Sequence, residues 1–171
     1  MSVAEPDTIL AVDPSLRKTG YARFERRRLA RCGVWSSQPS SPVLAALDMV
    51  GALRAALEDV DAAVLEVPGG ASYAPHIRHG LTTYGMAVGM MVYAAIVALG
   101  GERVYVAEPA VWQKGMRTKK RRHDMARGLW PEVRWPRPTG RVEKNWNNDA
   151  GDAALLGWWF LDARHLAERC A

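Results

Sequence analysis

Short apolar segments separated by polar turns fill the first 35 residues. Three of these segments have the length and composition of β-strands: residues 8–13, 20–26 and 29–35. Three successive strands with short connections predict an antiparallel meander. The first strand is apolar from Ile9 to Val12 and ends in Asp13, so it predicts a carboxylate held at the edge of a rigid sheet.

Helical spacing begins at residues 43–59, where apolar side chains recur every three or four positions. The later predicted elements are a strand at 61–67, a long helix at about 76–99, a strand at 103–107, a short helix opened by Pro109, a helix at about 119–130 and a last helix at about 148–168. The order β-β-β-α-β-α-β-α-α predicts an α/β fold with a five-stranded mixed sheet and helices on both faces. We expect residues 1–171 to form a single domain, since this length suffices for one hydrophobic core.

The long helix is uncharged from Gly80 to Gly101, a stretch of 22 residues. Such a segment is long enough to cross a bilayer. It contains five Gly and two Thr, however, and Arg78 and Glu102 flank it closely, so the sequence favours a buried helix and no membrane association. Because the helix is apolar on nearly all sides, we expect a second partner besides the protein's own sheet.

Positive charge is concentrated in one part of the chain. The protein has a net charge of +5, residues 114–144 carry +8, and the remaining residues therefore sum to −3. A local basic segment predicts a binding site for a polyanion, although a solvated helix face and loop is an equally acceptable interpretation of the count alone.

Two features bear on localisation. The cysteines, Cys32 and Cys170, do not form a disulfide framework, and the N-terminal residues lack the basic and apolar regions of a signal peptide. We therefore expect a cytoplasmic protein.

Four acidic residues stand at three distant points of the predicted fold: Asp13, Glu66, Asp149 and Asp152. Each has an ordinary structural explanation, as a turn former, a strand end or the acidic first turn of a helix. Asp149 and Asp152 share one helix face because they are three residues apart. Together the four could bind Mg²⁺, which prefers oxygen ligands, and two such ions about 3.5–4 Å apart can hydrolyse a phosphodiester.

The order of these acids resembles RuvC-type Holliday junction resolvases of the ribonuclease H-like superfamily. The matching residues are Asp13-Pro14-Ser15 with Thr19-Gly20, Leu65-Glu66, and Asp149-Ala150-Gly151-Asp152-Ala153-Ala154. The resemblance covers nearly the whole chain in element order. It implies that the four acids are catalytic and bind two Mg²⁺ ions per active site, with Mn²⁺ as a substitute. It also implies a homodimer, formed through the helix around 76–99, that nicks opposed strands of a branched, four-way DNA junction.

The resemblance also places DNA-binding residues in the basic segment after the fifth strand. These are Lys114, Arg117, Lys119, Lys120, Arg121 and Arg122, which would supply salt-sensitive affinity for phosphates. Tyr73 is the nearest aromatic residue after Glu66 and takes the place of the family's junction-facing aromatic, although Pro68-Gly69-Gly70 intervenes. Trp135 and Trp146 lie among basic residues and either stack on unpaired bases or pack the loop onto the body.

Some features depart from the family pattern. Ser15 stands where bacterial housekeeping members usually have Gly, and the loop from Pro131 to Asn147 is longer than usual. These departures favour a phage or mobile-element origin, and hence a bacterial or phage-infected host cell.

Two other functions remain open from the sequence. The protein could be another ribonuclease H-like nuclease that cuts RNA/DNA hybrids or processes branched DNA, or a catalytically silent junction-binding protein. An actin-like ATPase also begins with an acidic strand and a Thr-Gly turn, but that machinery needs two such domains and 171 residues hold only one.

Overall fold

The computed structural model describes residues 6–69, 78–116, 118–135, 149–163 and 167–170. The strands in these ranges are β1 (Thr8–Asp13), β2 (Lys18–Glu25), β3 (Arg28–Ser36), β4 (Ala62–Glu66), β5 (Val104–Ala107) and β6 (Glu168–Arg169). The helices are α1 (Pro42–Ala56), α2 (Arg78–Leu99), α3 (Pro109–Trp112), α4 (Lys119–Leu129) and α5 (Asp149–Ala163). The predicted order of elements is confirmed through α5, with boundaries within a few residues of those expected except at the end of α5.

The strands form one mixed sheet in the order β3-β2-β1-β4-β5-β6. The meander of β1, β2 and β3 is antiparallel, whereas β4 lies parallel to β1 and β5 lies parallel to β4. A parallel neighbour requires a crossover connection, and α1 and α2 provide these crossovers. The central strand β1 therefore has β2 on one side and β4 on the other.

The sheet has one strand more than the five that the sequence predicted. We expected the last helix to continue to residue 168, but α5 ends at Ala163, and Glu168 pairs antiparallel with Val106 of β5. The Cys170 amide closes this edge by donating to the Val104 carbonyl at 3.0 Å. A strand of two residues is too short to show an alternating pattern, so the sequence could not reveal it.

Alternate residues of β1 face two separate cores. Ile9 and Ala11 pack with α5, while Leu10 and Val12 pack with α1 and α2. Because β1 is buried on both faces, its residues from Ile9 to Val12 form an uninterrupted apolar run. The next residue, Asp13, continues the alternation on the α5 side.

Helix α2 buries one face and exposes another. Met91 and Ala95 are fully buried in the core shared with α1, but Tyr93 and Val97 are 70% and 65% exposed. The segment Thr82–Leu99 is long and apolar enough to span a membrane by length and composition, and 33% of it is buried inside the structure. The prediction of a helix packed on its own sheet is confirmed, and a partner for the outer face stays a prediction.

Candidate active site

Asp13 and Glu66 lie at the same edge of the sheet. Val12 of β1 pairs with Leu65 of β4, and because the two strands are parallel, each ends in its acid immediately beyond this pair. Ala62 and Val64 of β4 face the α5 core, so the alternation puts Glu66 on the side of the sheet where Asp13 lies.

The turn after Asp13 is closed by Thr19. The Thr19 hydroxyl donates to the Ser15 carbonyl at 2.8 Å and accepts from the Ser15 amide at 3.0 Å. Thr19 is completely buried, so its hydroxyl satisfies the turn without help from solvent. The hydrogen bonds explain the spacing of the Asp-Pro-x-x-x-x-Thr-Gly motif: they fix the chain reversal that leads away from Asp13.

The first turn of α5 rests directly on β2. Gly20 is the cross-strand partner of Asp13, and a Cβ atom added to Gly20 would collide with the main-chain carbonyl of Asp149. The absent side chain therefore lets the helix start close beside Asp13. Asp149 is half-buried and Asp152 is 4% exposed, so the helix brings two more carboxylates to this edge of the sheet.

Glu66 is held by the segment that follows β5. The indole Nε1 of Trp112 donates to Glu66 Oε2 at 2.8 Å, and Nε2 of Gln113 donates to the same oxygen at 3.3 Å. Glu66 is 9% exposed and Trp112 is 1% exposed. Burial is the main cause that raises the pKa of Glu66 to about 7, with a contribution from Asp152, and the Trp112 hydrogen bond opposes the rise.

Asp152 is paired with Arg122. Arg122 Nε lies 2.7 Å from Asp152 Oδ1, and Arg122 Nη2 lies 3.2 Å from Asp152 Oδ2, so the guanidinium contacts both carboxylate oxygens. Arg122 also donates from Nη1 to the Gln113 side-chain oxygen at 3.2 Å. Because Gln113 in turn donates to Glu66, a chain of hydrogen bonds connects two of the four acids.

Negative charge accumulates around Asp13. Burial raises the pKa of Asp13 well above its usual range, and Glu66, Asp152 and Asp149 raise it further in that order. Burial also raises the pKa of Asp149, which the Lys119 ammonium opposes. Asp13 therefore lies close enough to all three other predicted acids to be affected by their charges.

The chemistry of these side chains fits a divalent cation. Several carboxylates share a poorly solvated site, and a metal ion with hard oxygen ligands would relieve their repulsion. Within the described ranges, however, no three Asp, Glu, His or Cys side chains are arranged to hold a metal as they stand. Arg122 occupies both oxygens of Asp152 in this arrangement.

The predicted DNA-binding residues fall into three groups. The exposed group lies on and just before α4 and consists of Lys114, Lys119, Lys120 and Arg121. Thr118 caps the N-terminus of α4, where its side chain accepts a hydrogen bond from the Arg121 amide. Tyr73 and Arg117 lie outside the described residues. Arg122 is only 5% exposed and donates four hydrogen bonds to protein groups, so direct contact with a phosphate does not fit its position.

Of the two tryptophans in the basic loop, Trp135 is described and Trp146 is not. The Trp135 indole donates to the Trp130 carbonyl at 3.2 Å, and the ring packs at the margin of the α5 core. For Trp135 the structure therefore favours packing onto the body over stacking on bases.

Sequence reasoning missed Trp112, Gln113 and the inward role of Arg122. One signal could have indicated Trp112: the short helix opened by Pro109 follows β5, a parallel neighbour of β4, so it starts at the edge where Glu66 lies. Gln113 directly follows Trp112 and shares this signal. The contacts of Arg122 had no comparable signal, since they depend on how α4 packs against α5.

The sequence matches no protein-family model and no curated protein at a significant level. Solved structures with the same fold include Thermus thermophilus RuvC in complex with a Holliday junction substrate, with a TM-score of 0.67 at 18% identity over 95% of this chain and 98% of that chain. A second Thermus thermophilus RuvC structure has a TM-score of 0.63 at 18% identity over 95% and 99% of the two chains. The yeast mitochondrial Holliday junction resolvase Ydc2 has a TM-score of 0.61 at 15% identity over 94% and 82%. The predicted ribonuclease H-like fold and the resemblance to RuvC are confirmed at the level of the fold.

Proposed function

We propose that this protein, which has the fold of RuvC, is a metal-dependent endodeoxyribonuclease that resolves four-way DNA junctions. The observation that carries the proposal is the convergence of Asp13, Glu66, Asp149 and Asp152 at one sheet edge, where Glu66, Asp152 and Asp149 each raise the pKa of Asp13. Glu66 and Asp152 are buried and Asp13 and Asp149 are half-buried. Clustering carboxylates in this way costs stability, and acids with raised pKa values in one cluster are typical of functional sites.

The four acids would hold two Mg²⁺ ions, with Mn²⁺ as a substitute. When bound, such ions activate a water molecule and stabilise the leaving oxygen of a phosphodiester. The protein's own contribution is positional: β1 and β4 fix Asp13 and Glu66 on neighbouring strands, and the close contact at Gly20 fixes the first turn of α5. Trp112 and Gln113 orient one oxygen of Glu66.

Exposed cations beside these acids supply the affinity for DNA. Lys119 lies near enough to lower the pKa values of both Asp13 and Asp149, while Lys120 and Arg121 follow it on the first turn of α4. A DNA strand bound to these residues would bring a phosphate to the acids. Affinity of this kind is independent of sequence and weakens with salt.

A homodimer would give the paired cuts that resolution of a junction needs. The exposed face of α2 supports it: Tyr93 and Val97, together with Gly89, form an apolar outer surface at intervals of four residues. A second copy packed on this face would present two active sites related by a two-fold axis.

The test is incubation with Mg²⁺ and end-labelled substrates: an immobile four-way junction, a linear duplex, a flap and an RNA/DNA hybrid. Symmetric paired nicks in the junction alone would support the proposal. Preferential cleavage of the hybrid or the flap would instead identify another ribonuclease H-like nuclease. Tight junction binding without cleavage in Mg²⁺ or Mn²⁺ would identify a catalytically silent junction-binding protein.

A further inference from the structure

Arg122 is a buried cation that contacts one of the four acids, Asp152, and lies near a second, Glu66. It donates to Asp152 Oδ1 and Oδ2 at 2.7 and 3.2 Å, to Gln113 Oε1 at 3.2 Å and to the Met116 carbonyl at 3.1 Å. Arg122 is 5% exposed and Asp152 is 4% exposed. A two-point guanidinium–carboxylate contact of this kind is strong and geometrically specific.

The Arg122–Asp152 pair lies in the proposed active site, because Asp152 is one of the acids proposed to bind metal. Both carboxylate oxygens of Asp152 have a donor on Arg122. The guanidinium is permanently charged, because arginine does not lose its proton in proteins. Its positive charge compensates the acidic cluster and, by the same Coulomb interaction, repels a divalent cation that approaches Asp152.

We infer that Arg122 is an internal counter-cation, a positioning residue that neutralises and holds Asp152 while no metal is bound and competes with the metal for that carboxylate. The inference rests on the proposed function, because it takes Asp152 to be a metal ligand. Arg122 then stabilises the metal-free fold and raises the concentration of divalent cation needed to fill the site.

Gln113 extends this role to a second acid. It accepts from Arg122 through Oε1 and donates to Glu66 through Nε2, so its amide orientation is fixed from both sides. Removal of Arg122 therefore takes two hydrogen-bond donors away from Asp152 and also loosens a donor to Glu66. Both changes make carboxylate oxygens more accessible to a cation.

The experiment measures thermal unfolding and calorimetric binding of Mn²⁺ alone, without DNA, for the wild type and Arg122→Gln. In EDTA the variant should unfold on the order of 10 °C lower, because the buried Asp152 carboxylate loses the two-point contact with the Arg122 guanidinium. In excess Mn²⁺ this gap should narrow by roughly a third to a half, and the Mn²⁺ Kd should be tighter by on the order of tenfold.

Two further variants complete the design. Arg127→Gln removes a positive charge from an exposed position of the same helix and should leave the response to Mn²⁺ unchanged. Arg122→Lys keeps the charge but cannot contact both Asp152 oxygens, Gln113 and Met116 at once, so its gain in Tm from Mn²⁺ should lie between those of the wild type and Arg122→Gln. If Arg122→Gln does not fold, this variant should still gain more than the wild type.

The outcomes distinguish the inference from the proposed function. If the wild type gains stability from Mn²⁺ and the Arg122 variants gain the same or less, Arg122 is an ordinary structural residue and the inference is wrong. If Mn²⁺ stabilises neither the wild type nor the variants, the metal site itself is wrong, and the proposed function fails together with the inference.

Discussion

Gly20 contacts Asp149 across the junction of sheet and helix, with no room for even a methyl group between them. Gly20 is also the cross-strand partner of Asp13. One small residue therefore sets the separation between the acid at the end of β1 and the acids at the start of α5. The Thr-Gly part of the motif thus has a physical reason, since Thr19 closes the turn and Gly20 admits the helix.

Gly20→Ala should displace the first turn of α5 from β2. We expect a loss of about 1–3 kcal/mol in the free energy of unfolding, the usual cost of overpacking, and a larger loss of cleavage because the acids move apart. Urea unfolding and junction cleavage in Mg²⁺ would measure the two effects. Gly51→Ala is the matched control: no atom lies within 4 Å of its added Cβ, so it should stabilise α1 by about 0.5–1 kcal/mol. Equal behaviour of the two variants would show that the Gly20 contact is unimportant.

Asp13→Asn should abolish cleavage while junction binding persists. The amide keeps the shape of the carboxyl group but removes the charge that a metal ion requires, so we expect a loss of at least about 100-fold in the cleavage rate. Its melting temperature in EDTA should equal or exceed that of the wild type, since Asp13 is half-buried beside three other acids whose charges raise its pKa. The control Asp7→Asn changes an exposed acid at the other end of β1 and should cleave normally. Undiminished cleavage by Asp13→Asn would remove Asp13 from the metal site.

The sequence predicted the parts of this site that depend on local pattern and element order. Asp13 and Glu66 could be assigned to strand ends because an apolar run stops at each of them, and parallel pairing of β1 with β4 then puts them side by side. Asp149 and Asp152 followed from their spacing on one helix. These inferences need only the periodicity of strands and helices.

The interior of the site could not be predicted in this way. A basic run beginning at Lys119 indicates a charged surface, but nothing in it shows that Arg122 turns inward, because that depends on how α4 packs against α5. The strand β6 was missed for a similar reason, since its two residues are fixed by pairing with β5. Tertiary contacts decided both cases.

Tyr93→Glu should weaken self-association through α2. Its side chain is 70% exposed on the apolar outer face, and a carboxylate there would be costly to bury between two copies. Sedimentation velocity should show a monomer where the wild type sediments as a dimer, and junction cleavage should yield single nicks. Leu129→Glu, at a 39% exposed position on α4, is the control and should leave the sedimentation coefficient unchanged. A dimeric Tyr93→Glu protein would place the interface elsewhere.

The metal-free protein should lose stability as pH rises from about 4.5 through about 7. Glu66 has a pKa of about 7 in the folded protein against 4.5 ordinarily, so the folded state retains a proton that the unfolded chain releases. The raised pKa of Asp13 acts in the same direction. Urea unfolding in EDTA across this range would show the decline, and Glu66→Gln should reduce its slope. The control Glu58→Gln, at an exposed position, should leave this slope unchanged. A wild-type stability that increases with pH over this range would contradict the raised pKa of Glu66.

Replacement of Lys119 and Lys120 by Ala should weaken junction binding and reduce its dependence on salt. Each lysine that neutralises a phosphate contributes about 0.9 to the slope of log K against log salt concentration, so the double variant should lose up to about 2 from that slope. Lys119 lies close to Asp13 and Asp149, and its loss should therefore reduce cleavage even at DNA concentrations that saturate binding. Titration of a labelled junction in Ca²⁺ at several salt concentrations measures the slope, with Arg103→Ala, an exposed cation before β5, as control. An unchanged slope in the double variant would mean that the start of α4 faces away from the DNA.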